Sequence, residues 1–168
     1  KQKFAQVTNP PTDPIREKVV MSLNTGFGEV HNILDEIPTH AHRLKSISPI
    51  ITREKLEVLK SFGDKKSPRY QAFYHNTTFS TAYKGSLKEA LDALVVKVVS
   101  SVSKNGTRII ILDDKEFSFE NKIMPMAMVV GRLNLALLKA KVRHLTSLVC
   151  ITGEVIDSHS AAVLIGYG

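Results

Sequence analysis

The segment at residues 4–23 is the most constrained part of this chain because three prolines lie close together within it. Pro10, Pro11 and Pro14 each fix φ and remove a backbone donor. The residue before each proline is pushed toward an extended conformation, so the segment can adopt few shapes. Asp13 is a suitable N-cap for a helix that begins at Pro14. We therefore expect a rigid segment, either an entry loop or a preset surface on which neighbouring domains dock.

Length and composition predict one globular domain. The chain has 168 residues, of which 43% are hydrophobic and 23% charged, which is enough for a sizeable core. It contains no run of about 18 apolar residues, so we expect no membrane-spanning helix and no membrane partner. The chain starts at Lys1 without a signal-like segment and reads as an excised piece. The lone Cys150, in an apolar run, is typical of a small buried side chain in the reducing cytoplasm.

The net charge of +7 raises the question of a nucleic-acid partner. The only dense basic patch is at residues 65–70, with Phe73 and Tyr74 close behind. Basic residues beside aromatic rings suit RNA, whereas a polar connector sealed onto the body by its aromatics is the alternative. We favour the connector, because no recognised nucleic-acid motif accompanies the patch. We therefore expect no nucleic-acid partner.

The second half of the chain alternates strand and helix signals. A helix is predicted from the capping box of Ser86 and Glu89 to the stop at Gly106, and another begins at Pro125. A last helix is predicted from Asp157 or Ser158 through residue 165, closed by Gly166. Strands are predicted at residues 77–83, 108–112 and 145–151. Right-handed crossovers in this order build a parallel sheet, so the predicted class is α/β with flanking helices.

The first half is predicted to be irregular. Residues 24–31 contain Gly26 and Gly28 and indicate a loop, and a short helix is expected from Pro38 to about Leu44. Thr52 is a plausible N-cap for a helix at residues 53–62. We therefore predict a single domain over 1–168, with an irregular part at 1–74 and a βαβαβα unit at 75–168.

Two places at the carboxyl ends of the predicted strands carry candidate chemistry, because ligands of parallel α/β folds bind there. Asp113 and Asp114 follow the second strand and suit a metal or a general base. We favour loop solvation or a helix cap, since hard cations need several more oxygen ligands. The turn Thr152–Glu154 precedes the last helix, where a phosphate could bind the backbone N–H groups. Glu154 and Asp157 would repel it, so we predict a self-capped, phosphate-free end.

The remaining reactive side chains give weak signals. His40 and His42 lie two residues apart and point in different directions on a helix, so a zinc site is not expected. Cys150 has no sequence neighbour that would lower its pKa, so a nucleophile is not expected either. An enzyme in its own right, using Asp113 and Asp114, stays open as one alternative.

Several motifs resemble the central domain of the glutamate synthase large subunit. The longest is FAQVTNPP-x-DPIRE at residues 4–17, followed by VMSL at residues 20–23. Weaker matches follow in the family's order at residues 48–50, 110–114, 147–149, 153–154 and 166–168. The chain departs from the family where Leu133–Ala136 replaces a histidine-rich segment, where His159-Ser160 replaces paired histidines, and where Ile151 replaces a glutamate. These differences indicate a divergent member.

The resemblance implies a fold like an incomplete FMN-type (β/α) barrel. It implies a parent oxidoreductase that converts glutamine and 2-oxoglutarate to two glutamates with FMN and an iron–sulfur cluster. Electrons would come from an electron-donating subunit with a pyridine nucleotide, or from ferredoxin. The central domain would connect the glutaminase amidotransferase domain to the FMN domain and help to form the ammonia path. It would itself hold no catalytic residue, cofactor or metal.

The predicted roles of individual residues are therefore structural. The alternative reading is a free-standing basic module that binds RNA or protein without catalysis. Under the favoured reading, the residues expected at a domain interface or in a structural role are Asn9, Pro10, Pro11, Asp13, Arg16, Asp114, Glu154 and His159.

Overall fold

The computed structural model describes residues 22–62 and 74–168. The predicted docking residues Asn9 to Arg16 and the basic patch at 65–70 lie outside this part of the chain. Within it, two 3₁₀ helices span Pro38–Ala41 and Arg143–Leu145. The remaining elements are β1 Thr25–Phe27, β2 Leu44–Ser46, α1 Arg53–Ser61, β3 Asn76–Ser80, β4 Ala82–Tyr83, α2 Leu87–Asn105, β5 Ile109–Asp113, β6 Lys122–Ile123, α3 Met126–Lys139, β7 Ser147–Ile151 and α4 Ser158–Tyr167.

The main sheet is parallel, as the alternating strand and helix signals predict. It has the order β3-β5-β7, so the three strands lie side by side in the order of the sequence. Ile111 is paired with Thr78 on one side and with Val149 on the other. β1–β2 and β4–β6 form two small antiparallel ladders beside it. The α/β class is confirmed, and the described strands form an open sheet rather than a closed barrel.

Both faces of the central strand β5 are covered. Its side chains alternate between the faces, and Ile109, Ile110, Ile111 and Leu112 are all fully buried. Ile110 and Leu112 lie in the cluster formed with α2 and α3. Ile109 and Ile111 pack with Phe27 of β1 and with the apolar side of α1. The sheet is therefore the middle one of three layers. α2, α3 and α4 lie on one face, and β1 and α1 lie on the other.

The predicted helix caps are present. Thr52 accepts a hydrogen bond from the backbone of Lys55, and Ser86 does the same for Glu89. Gly106 follows α2 with φ 68°, a left-handed conformation that glycine adopts without strain. Local side-chain chemistry therefore sets the ends of these helices.

Several boundaries differ from the expectations. The strand expected at 145–151 begins only at Ser147, because Arg143–Leu145 form a 3₁₀ helix. Residues 25–27, expected in a loop, form β1 because they find a partner in β2, and Leu44 belongs to that strand instead of the short helix. The strand expected at 77–83 is divided at Thr81, after which β4 pairs with β6. Gly166 does not close α4, which continues to Tyr167. The ring of Tyr167 packs closely on Gly131 of α3, and this contact supports the two additional residues of the helix.

Candidate functional site

The carboxyl edge of the sheet brings the two candidate segments together. The loop after β5 meets the loop after β7, where the Asp114 backbone N–H donates to the Ile151 carbonyl at 3.2 Å. The Asp114 side chain also accepts a hydrogen bond from the Gly153 N–H at 3.1 Å. Asp114 therefore fastens two adjacent loops to each other, and one carboxylate oxygen is engaged in doing so.

The Asp113 side chain bonds to a residue of its own turn. One oxygen accepts a hydrogen bond from the Lys115 N–H at 3.0 Å, and the other lies 3.9 Å from the Lys115 ammonium. Its side chain is 18% exposed. This is the local side-chain-to-backbone bonding that aspartate commonly forms in turns. Both carboxylates at this edge thus serve loop geometry, the role favoured over metal binding.

Glu154 caps a helix, but not the one that the sequence indicates. Its carboxylate accepts a hydrogen bond from the Met126 N–H at 2.8 Å, at the first turn of α3. Pro125, the N-cap residue of α3, provides no side-chain hydrogen bond. The helix is therefore capped from a loop 28 residues away in sequence. The expected pairing of Glu154 with the last helix is wrong, because the sheet places its loop beside α3.

Asp157 alone caps α4. Its carboxylate accepts hydrogen bonds from the Ser160 N–H at 2.7 Å and from the Ser160 hydroxyl at 2.6 Å. The hydroxyl hydrogen bond and then the backbone one lower the pKa of Asp157 below its ordinary value. A carboxylate thus occupies the position that a phosphate would take at this helix end. The site does not fit a phosphate group such as that of FMN.

Cys150 is half-buried and His159 is exposed. The side chain of His159 is exposed on the first turn of α4 and makes no hydrogen bond or ion pair with another described residue. Residues 22–62 and 74–168 contain no cluster of three His, Cys, Asp or Glu side chains suited to a metal ion. Burial raises the pKa of Cys150 to about 12, so its thiol is protonated at neutral pH.

Among the described residues, no helix combines the length and the apolar character needed to cross a membrane.

The predicted site residues therefore differ in what their side chains contact. Asp114 and Glu154 lie in neighbouring loops and bond to backbone N–H groups, whereas His159 joins neither of them. Sequence reasoning missed the link from Glu154 to α3. The available signal was Pro125, which starts a helix without a capping side chain and so leaves a position for a distant acceptor.

Comparison with known proteins places the chain in one family. A family model described as "Glutamate synthase central domain" matches residues 1–168. A ferredoxin-dependent chloroplastic glutamate synthase of Oryza sativa subsp. japonica is 34% identical over 170 residues. The glutamate synthase [NADPH] large chain of Azospirillum brasilense is 32% identical over 168 residues, and the glutamate synthase [NADH] of Schizosaccharomyces pombe is 32% identical over 169.

The matches cover all of this chain but only a small part of each relative. Each covers 100% of this chain but only 10%, 11% and 8% of the respective relative. The chain thus spans about a tenth of the length of the curated relatives that it matches. The family match and the relatives agree along the whole sequence. The chain belongs to the glutamate synthase central domain family.

Proposed function

We propose that this chain is the connecting domain of a glutamate synthase polypeptide and holds no catalytic residue of its own. It would position a glutaminase amidotransferase domain and an FMN domain, and help to form the path along which ammonia passes between them. The parent reaction would convert glutamine and 2-oxoglutarate to two glutamates. Holding two sites in fixed geometry is a means of catalysis that requires no reactive group in the connector.

The bonding at the sheet's carboxyl edge is the observation that carries this proposal. Asp114 is bonded to the Gly153 N–H and Glu154 to the Met126 N–H. Each carboxylate fixes backbone, and among the described residues neither belongs to a cluster of three His, Cys, Asp or Glu side chains suited to a metal ion. This supports a structural role for Asp114 and Glu154. His159, exposed on α4, would serve at a surface toward a neighbouring domain.

Cofactors and partners follow from the same proposal. FMN and an iron–sulfur cluster would belong to other parts of the parent enzyme, and the Asp157 carboxylate at the start of α4 supports the absence of a flavin phosphate here. Partners would be the neighbouring domains of the same polypeptide, with an electron-donating subunit or ferredoxin. The reported relatives are named glutamate synthases, so the alternative of a free-standing binding module is not supported. The cytoplasmic location stays a prediction.

A substitution at Arg16 tests the proposed connecting role. Asn9, Pro10, Pro11 and Asp13 would make a rigid docking strap, with Arg16 available for an ion pair across the domain boundary. Arg16→Ala in the intact polypeptide should raise glutamine hydrolysis relative to glutamate formation, because ammonia is no longer delivered tightly. Arg132→Ala is the matched control, since Arg132 pairs with Asp92 at 3.0 Å on the surface of this domain. If the ratio of glutamine hydrolysis to glutamate formation is unchanged in Arg16→Ala, the docking strap does not couple the two reactions and this part of the proposal is wrong.

A further inference from the structure

The loop between β5 and β6, at residues 114–121, exposes two phenylalanines to solvent. Phe119 is fully exposed and Phe117 is 66% exposed. Exposed aromatic rings cost free energy in water, whereas aromatic side chains are enriched at the buried centres of protein interfaces. The two rings therefore indicate a contact with a surface outside the described residues. We call residues 114–121 the docking loop.

The backbone of the docking loop is fixed by its own hydrogen bonds. The Ser118 N–H donates to the Asn121 carbonyl at 3.2 Å, and the Asn121 N–H donates back to the Ser118 hydroxyl at 3.1 Å. The Asn121 side chain also donates to the Glu116 carbonyl at 3.5 Å. Because the loop already has a defined shape, binding through its rings would require little further ordering of the backbone.

The docking loop is also attached to the rest of the carboxyl edge. It follows β5, the central strand of the main sheet. At its start, Asp114 accepts a hydrogen bond from Gly153 in the loop after β7. At its end, Glu120 pairs at 2.8 Å with Lys84, which follows β4. The loop is therefore fastened to segments that follow two other strands, and its position relative to the sheet is defined.

The charge of the docking loop favours a cationic partner. Residues 113–122 carry four carboxylates and two lysines, although the chain as a whole has a net charge of +7. The carboxylate of Glu116, which precedes Phe117, makes no hydrogen bond or ion pair with another described residue. A lysine or arginine can bind both to a carboxylate and to the face of a phenyl ring. A basic surface therefore complements both features of this loop.

The same charge disfavours partners that carry phosphate. Nucleic acids and anionic lipid surfaces are attracted to clusters of lysine and arginine, whereas an excess of carboxylates repels them. A protein surface with an apolar pocket and basic residues around it fits the loop better.

We propose that Phe117 and Phe119 dock into an apolar pocket, rimmed by lysine or arginine, on a neighbouring domain of the same polypeptide. The proposal rests on the proposed function, which places this domain inside a longer synthase chain. The chain spans about a tenth of the length of the relatives that it matches, so a polypeptide of that size has other domains that could provide the pocket. The two rings fill the pocket, and the Glu116 carboxylate pairs with its rim.

Photo-cross-linking in the intact polypeptide tests the contact. p-Benzoylphenylalanine is introduced in place of Phe119 in one variant and in place of Val96, which is 68% exposed on α2, in another. The probe at position 119 should couple to a peptide outside residues 1–168 at several times the yield of the probe at position 96. The same probe in place of Phe117 should couple to the same peptide. A product confined to residues 1–168, or a yield no higher than that at position 96, would overturn the proposal.

A mixture of isotopically light and heavy protein identifies the chain that provides the pocket. Coupling within one polypeptide gives only products in which both peptides are light or both are heavy, and this is the expected result. Products that combine a light and a heavy peptide would show a contact between two copies and overturn the assignment to the same polypeptide.

Charge reversal tests the basic rim. Glu116→Lys, added to the variant with the probe at position 119, should lower the cross-linking yield several-fold because a lysine would then face the basic rim. Lys122→Glu is the matched control, since it reverses a charge of the opposite sign at an exposed position of the neighbouring strand β6. It should leave the yield unchanged or raise it. Equal losses in the two variants would overturn the basic rim.

Glutamate synthase activity of the same preparation separates this proposal from the proposed function. A cross-link from position 119 to a peptide outside residues 1–168, in a polypeptide without that activity, would support the docking loop and remove the proposed function. An active synthase in which position 119 couples only within residues 1–168 would retain the function and remove the docking loop.

Discussion

At the residue scale, Glu154 joins the loop after β7 to the first turn of α3 through one hydrogen bond to Met126. Glu154→Ala should lower the free energy of unfolding by about 1 kcal/mol, because it removes a helix cap. Urea unfolding measures the change. Glu154→Gln keeps an acceptor and should lose less, and Glu116→Ala in an exposed loop should be nearly neutral. Equal values for Glu154→Ala and Glu116→Ala would contradict the cap.

Asp157 gives a prediction about pH. Hydrogen bonds from Ser160 hold the pKa of its carboxyl below the ordinary value of 3.8 in the folded chain. These bonds therefore stabilise the fold above the unfolded pKa, and the benefit is lost as pH falls through the lowered folded pKa. Asp157→Asn cannot titrate. The stability advantage of the wild type over Asp157→Asn should shrink as pH falls from about 5 to about 2.

Chemical unfolding at several pH values measures that difference. A gap between wild type and Asp157→Asn that stays constant down to about pH 2 would mean that the carboxylate does not carry the cap.

These residues also show what the sequence can predict about the site. The cap by Asp157 is predictable, because donor and acceptor lie three residues apart in one turn. The hydrogen bond between Asp114 and Gly153 is only partly predictable from the sequence. A parallel sheet brings the ends of its strands together, but it does not specify which atoms meet. The bond from Glu154 to α3 is not predictable from local pattern, because its partner is set by how the loops of two adjacent strands lie in space.

At the element scale, α2 ends at Gly106, whose φ of 68° is unfavourable for a residue with a Cβ. Gly106→Ala should cost roughly 1–2 kcal/mol in the free energy of unfolding, although no atom would contact the new methyl group. Gly153→Ala is the matched control, since it also has open space around it. Thermal or urea unfolding of both variants checks the prediction. A neutral Gly106→Ala would show that α2 does not depend on this cap.

A buried chain of hydroxyl groups ties α2 to the sheet. The Thr107 hydroxyl lies 2.7 Å from that of Ser101 in α2 and 3.1 Å from that of Thr77 in β3. Thr107→Val keeps the shape and removes the central partner, so the free energy of unfolding should fall by roughly 1–3 kcal/mol. Thr78→Val, at an exposed position of β3, should change it by less than about 0.5 kcal/mol. Similar losses in both variants would argue against the network.

The elements also differ in how well the sequence predicts them. α2 is confirmed close to its predicted limits and α3 close to its predicted start, because apolar spacing and capping residues are local signals. The strand β5 is confirmed because its four isoleucine and leucine residues are buried on both faces. β1 is missed because Thr25–Phe27 has no alternating pattern and becomes a strand only by pairing with β2. Local pattern therefore predicts the main sheet and its helices, but not the small antiparallel ladders.

At the scale of the whole molecule, the described chain is a three-layer fold around an open parallel sheet, and carboxylates of the chain bond to the loops at the carboxyl edge of that sheet. Asp113 and Asp114 bond to loop backbone, and Glu154 and Asp157 cap two helices. This arrangement fits a connector whose contribution to a larger enzyme is shape. The central claim is therefore that these four carboxylates take no part in proton transfer.

The double variant Asp113→Asn and Asp114→Asn in the intact polypeptide tests that claim most directly. Rates of glutamine hydrolysis and glutamate formation should each fall by less than about tenfold, because loop geometry is altered but no catalytic group is lost. The measurement is made on protein whose circular dichroism and unfolding midpoint match the wild type. A fall of roughly 100-fold or more in either rate, the size expected when a general acid or base is removed, would contradict the account.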